Sequence, residues 1–366
     1  MRKTLLKILT AVMITVSTGG VLHAEFRVAD LIYVPVVAHT SGVNDSLWRS
    51  DVKIISMEEE DLIDVALVLL PSGLHSNGSA FYDRTYTVGG REEDGFGIVD
   101  PVLADIQPGA TVVLEDVIAK YWPDQTGLNG QGALVIFSYL AGSLQDDGSR
   151  EYRNMMVTSR TYNIGTIYTP DPENEGEFIE QTATYGQAIP GVPWYDVADG
   201  GYLDETRDFT YMWLDGAEQS ENFRYNLGLF NASDSQTSLF IRVEPFQMDG
   251  QPFLGETGLP LASTIQMPPL SHLQYFQILG TMFGLTDVSG VKLKLSIINW
   301  SSTGVDSRPA FTAYGSLIDN LTNDATTYTP TFAQPFDIGC MWPDPPEEGE
   351  GKSAPGLPAR PAFPAR

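Results

Sequence analysis

The residues best equipped for chemistry are two arginines set beside aromatic rings. Arg49 follows Trp48 in "SLWRSDVKI", and Arg224 follows Phe223 in "ENFRYNLGLFN", 175 residues later (223 − 48 = 175). A guanidinium next to a ring binds carboxylates and sugar hydroxyls through a planar fork of donors. The same pair can serve the scaffold, the arginine tying a strand start to an acid or to loop carbonyls while its stem covers the ring. Recurrence of the phrase favours the scaffold role, because a repeated fold keeps its framework more readily than a ligand site. Arg160 in "SRTYN" faces Leu317 in the matching "SLIDN", so its contribution is particular to the first half. Trp48, Arg49, Arg160 and Tyr162 form one candidate binding group, and Trp194 and Arg224 are further candidates.

Catalytic templates are sparse. His39, His75 and His272 follow the leader without H-x-x-x-H or H-x-H spacing, so a zinc site lacks its usual ligands. A G-x-S-x-G elbow is absent, and the single cysteine, Cys340, has no histidine near it in sequence. With 47 acidic residues, a glycosidase pair can be drawn anywhere, so none is singled out and no catalytic residue is assigned. Turn carboxylates at Asp146, Asp147, Asp199 and Asp234 offer the oxygen chemistry of a calcium site. None lies in a twelve-residue EF-hand loop, so solvated turns are the expectation and no cofactor is implied. Several sequons occur, including those at Asn77, Asn231 and Asn299.

The elements that must position these residues read as short strands. In "GVKLKLSI", Val291, Leu293, Leu295 and Ile297 alternate with Lys292, Lys294 and Ser296, the period of a sheet with one wet face. "DVALVLL" from Asp64 lacks polar alternates and is expected to be covered on both sides. Turn formers separate the strands, as in "LPSG", "QPGA" and "NASDSQ". The amphipathic stretches "VVLEDVIAKYW" and "HLQYFQILGTMFG" predict one short helix in each half. Together with "GALVIF" from Gly132 against "GVKLKLSI" from Gly290, and "IYTP" ending at Pro170 against "TYTP" ending at Pro330, these make five echoes in one order and indicate two copies of one module. The expected fold is all-β: two tandem immunoglobulin-like β-sandwiches, each with a short helix on a connection.

The punctuation divides the chain into a signal peptide (1–24), a first module (25–170), a connecting segment (171–209), a second module (210–340) and a Pro-rich tail (341–366). In the leader, Arg2, Lys3 and Lys7 precede the apolar run Ile8–Val16 and the small residues before Ala24. Pro190, Pro193 and several glycines are expected to keep the connecting segment free of long regular structure. Without its leader the chain carries a formal charge of −29 (18 − 47), which disfavours nucleic acid and anionic lipid as partners. No later segment is apolar enough to span a bilayer. The expected location is secreted, periplasmic or at the cell surface.

"VPVVAHTSGVNDSLWRSDVKI", "SRTYN", "TYGQAIPGV", "ENFRYNLGLFNAS" and "IDNLTNDATTYTP" resemble segments of uncharacterised exported bacterial proteins built from paired β-sandwich modules. The resemblance spans roughly Val34 to Pro330 and implies a fold and an extracellular setting, with no activity or catalytic residue to carry over. A non-enzymatic interaction or structural protein is the expectation, with an unknown protein or glycan as partner. Two alternatives stand beside it: a pair of carbohydrate-binding modules, suggested by six tryptophans and sixteen tyrosines, and a glycoside hydrolase.

Overall fold

The computed structural model describes residues 27–42, 46–74, 76–80, 101–125, 130–170, 178–199, 211–233, 236–302 and 309–332. The leader, the tail with Cys340, and the positions His75 and Asp234 lie outside the described residues. Strands dominate, as the alternation of apolar residues requires.

The first strand set comprises β1 (Leu31–Ser41), β2 (Leu47–Ser56), β3 (Ile63–Pro71), β4 (Leu103–Ile106), β5 (Thr111–Leu114), β6 (Gln131–Leu140), β7 (Met155–Pro170) and β8 (Phe178–Pro190). A short helix, α1 (Val117–Tyr121), lies between β5 and β6. The strands pair antiparallel in the order β4-β3-β6-β1-β2-β7-β8, with β5 beside β2. β1 pairs with β6 through Leu31–Ala38 and with β2 through His39–Ser41, so it passes from one layer to the other. Ile63, Val65, Leu67, Leu134 and Ile136 of one layer meet Val52, Ile54, Met155 and Val157 of the other in a shared core. Removing these side chains from water is the main force holding the layers together.

A second set follows after β9 (Val192–Pro193) and β10 (Ala198–Asp199). It comprises β11 (Tyr211–Gln219), β12 (Phe223–Asn231), β13 (Thr237–Phe246), β14 (Ser263–Met267), β15 (His272–Tyr275), α2 (Ile278–Phe283), β16 (Val288–Ser302), β17 (Ala310–Asp319), β18 (Ala325–Tyr328) and β19 (Thr331–Phe332). Its sheets run β10-β17-β12-β15, with β18 also on β17, and β14-β13-β16-β11-β19. The pairings of the first set recur here. β2 with β5 and β7 matches β12 with β15 and β17. β3 with β4 and β6 matches β13 with β14 and β16. The pair β1·β6 breaks register between Val34 and Val37, and β11·β16 breaks between Leu214 and Ala217. A bulge at the same place in two sheets is a designed feature of the strand.

The two sets share an apolar seam. Leu31, Tyr33, Val68, Leu70, Val135 and Phe137, on the outer face of the β3-β6-β1 layer, pack with Phe230, Ala232, Leu270 and Ala310 of the second set. The Tyr33 and Phe230 rings lie 5.1 Å apart. β3 is therefore buried on both faces along its whole length, as its unbroken apolar run requires.

The segment expected to lack long regular structure instead supplies β8, a 13-residue strand paired to β7 from Phe178 to Pro190. Its punctuation is compatible with a sheet because Pro190 closes the strand and Gly186 lies close against the β7 backbone. A Cβ on Gly186 would run into the Thr161 carbonyl oxygen and lie 2.6 Å from the Cβ of its cross-strand partner Tyr162. Glycine therefore allows the two backbones their close approach.

Candidate functional site

The register of β2 against β7 places Arg49 opposite Tyr162 and Asp51 opposite Arg160, all four on the face turned away from the core. Three of the candidate residues, Arg49, Arg160 and Tyr162, thus stand together. The fourth, Trp48, points to the other face, where its indole N–H donates to Ser46 Oγ at 3.2 Å.

Asp51 and Asp116 organise this face. One Asp51 oxygen accepts the Asp116 backbone N–H at 2.9 Å and the Tyr162 hydroxyl at 3.3 Å. Burial, followed by the Asp51 charge, pushes the Tyr162 hydroxyl above its ordinary value. The Asp116 carboxylate faces His39 Nδ1 at 2.8 and 2.9 Å and Arg49 Nε at 3.4 Å. The Arg49 Nη1 donates to the Trp48 carbonyl at 2.7 Å. Arg160 stacks 4.8 Å from the Tyr162 ring centre and donates to Thr184 Oγ1 at 2.8 Å. Asp116 holds a left-handed backbone, φ 42°, at the start of α1. A hollow of about 430 Å³ beside it is lined by Val113, Glu115, Asp116, Ala119 and Lys120.

His39, Asp51 and Asp116 were not singled out from sequence. The missed signal is the acid before the helix: Asp116 lies 67 residues beyond Arg49 (116 − 49 = 67), and only strand pairing brings them together.

The second set supplies an internal comparison. Arg224 stands opposite Ile318 and Asn226 opposite Ser316, so Arg160 matches Ser316. The sequence match to Leu317 is therefore one residue out of register. The Asn226 side-chain oxygen accepts the backbone N–H of Gln277 at 3.1 Å, and Gln277 starts α2 at φ 51°. The contact from strand to helix start is thus common to both sets. The charges are not: Asp51, Asp116, Arg160 and Tyr162 become Asn226, Gln277, Ser316 and Ile318. Arg224 is buried, with Nη1 to Asn320 Oδ1 at 2.6 Å and Nη2 to Asn323 Oδ1 at 3.0 Å, and burial lowers its pKa.

The remaining candidates separate from this face. The Trp194 N–H donates to Asp30 Oδ1 at 3.0 Å, and its ring packs on the first core and the seam. Asp147 accepts the Ser149 backbone N–H and hydroxyl in an exposed turn, which lowers its pKa. Among the described residues, no three His, Cys, Asp or Glu side chains converge on a possible metal position. The Asn231 sequon is buried, its amide donating to the Thr237 and Pro268 carbonyls.

A histidine ring held by a carboxylate is the arrangement that orients a general base. Among the described residues, no hydroxyl or thiol bonds the His39 ring to complete a nucleophile pair. The face can therefore offer cationic, aromatic and acceptor groups to a bound molecule. No family model and no curated protein matches the chain.

Proposed function

We propose that the protein is an exported, non-enzymatic interaction or structural protein built from a duplicated β-sandwich. Each copy is of immunoglobulin-like kind, with its first and last strands exchanged between layers. In the immunoglobulin order the last strand lies beside the penultimate core strand. Here β7 and β17 lie beside β2 and β12, while β1 and β11 lie beside β6 and β16. The observation that carries the reading is the repeated framework: the same pairings, the same β-bulge and the same bond from strand to helix start. Export is supported by the basic and apolar leader. The recognition face is assigned to Arg49, Asp51, Asp116, Arg160 and Tyr162; of these only Arg49 has a charged counterpart, Arg224, in the second copy.

Expression of the full chain, followed by fractionation and N-terminal sequencing, tests the export; the expected product starts after Ala24. Turnover assays on glycoside, ester and peptide substrates test the rest. A reproducible activity abolished by Asp116→Asn would overturn the proposal.

A further inference from the structure

The outer face of the β14-β13-β16-β11-β19 sheet is polar where its counterpart in the first set is apolar and covered. In the first set Val68 pairs with Val135 and Ala66 with Phe137, and all four are buried in the seam. At the matching positions Glu244 pairs with Lys294 and Arg242 with Ser296. Tyr33, which meets Phe230 across the seam, is replaced by Trp213, paired with Lys294.

This face gathers cations on a chain whose formal charge is −26. Four Lys and Arg lie among the described residues of 211–332, and three of them, Arg242, Lys292 and Lys294, stand here. Rings accompany them. Trp213 meets Phe246 edge-on at 5.1 Å and Tyr211 at 6.4 Å, and Lys294 Nζ lies 4.4 Å from the Tyr211 ring centre. Arg242 bonds Glu244 at 3.0 Å while remaining 44% exposed.

We propose that this face binds an acidic polysaccharide, one whose sugar rings bear carboxylates. The proposal goes beyond the recognition face of the first copy and concerns a separate surface. Charge complementarity sets the sign of the ligand, because Arg242, Lys292 and Lys294 outnumber Glu244 among the paired positions of this face and make it a local exception to the acidic surface that disfavours other polyanions. Partly exposed rings supply apolar area for the C–H faces of sugars. Lysines on flexible stems reach carboxylates, and Glu244 accepts hydroxyls. An acidic peptide would use the lysines and leave the row of rings without a role.

Fluorescence anisotropy of labelled oligogalacturonate, titrated with the full chain, tests this, with maltooligosaccharide and poly-L-glutamate as comparison probes. Oligogalacturonate is expected to bind and maltooligosaccharide is not. The pair Lys292→Gln and Lys294→Gln is expected to weaken binding about tenfold, the factor that two partly exposed charge contacts supply. Trp213→Leu should weaken oligogalacturonate more than poly-L-glutamate. Lys292→Gln alone, with an unchanged urea midpoint, guards against a folding defect and should still weaken binding. Absence of oligogalacturonate binding, unchanged binding in the lysine variants, or equal binding of poly-L-glutamate that ignores Trp213→Leu would overturn the proposal.

Discussion

Replacing His272 with phenylalanine should remove a specific acid sensitivity from the seam. His272 begins β15 and is fully buried, stacked on Tyr314 with ring centres 6.0 Å apart. Its Nε2 lies 3.4 Å from the Tyr314 hydroxyl. Its backbone carbonyl accepts the Gly73 N–H from the first set at 2.9 Å. Burial holds the imidazole pKa down from 6.5 to about 4, against a small opposing pull from the Pro35 backbone. The folded state thus resists a proton that the unfolded chain accepts. Stability is intact above pH 6.5 and is lost as pH falls from there toward 4. The full cost is about 3 kcal/mol, of which about 2 kcal/mol has developed by pH 5. Phenylalanine keeps a ring against Tyr314 and cannot titrate. Urea unfolding of both proteins at pH 7 and pH 5 should show the variant gaining about 2 kcal/mol on the wild type between the two conditions, since the carboxylates titrate alike in both. A stability difference independent of pH would refute the reasoning.

Other substitutions separate framework from surface. Arg224→Met keeps the stem but deletes two charged hydrogen bonds, and should lower urea stability by about 2–4 kcal/mol, against about 1 kcal/mol or less for the more accessible Arg49→Met. Asp51→Ala and Asn226→Ala each strip the acceptor from a helix start, and each should cost about 1–3 kcal/mol in the same assay. Gly228→Val would drive a Cβ into the buried Tyr314 ring, and circular dichroism should find it largely unfolded. In a glycosylating host, mass spectrometry should find glycan at the exposed sequons Asn77 and Asn299 and none at the buried Asn231.

The sequence carried the strands more fully than the site. Val291, Leu293, Leu295 and Ile297 are buried while Lys292, Lys294 and Ser296 are partly exposed, as their alternation indicated. The corresponding run in β6 is apolar at nearly every position because the second set covers its outer face, a contact no local pattern reveals. The helix stretches were legible only in part: the first residues of each, up to Leu114 and Tyr275, form strands, and only Val117–Tyr121 and Ile278–Phe283 are helical, after left-handed starts at Asp116 and Gln277 that neither residue advertises as glycine does. β8 was hidden because Gly186 and Pro190 look like breakers until the close approach of the Thr161 and Tyr162 backbone to the glycine is known. The candidate face was half visible. Arg49, Arg160 and Tyr162 stood out beside aromatic neighbours, whereas Asp51 and Asp116 acquire a role only through strand register and the turn into α1.

An experimental structure in which residues 31–190 are superposed on 211–328 tests the duplicated framework most directly. The register break at Val34 and Val37 should fall on that at Leu214 and Ala217, and the Asp51 to Asp116 N–H bond on the Asn226 to Gln277 bond. A different strand order in either set would contradict the account.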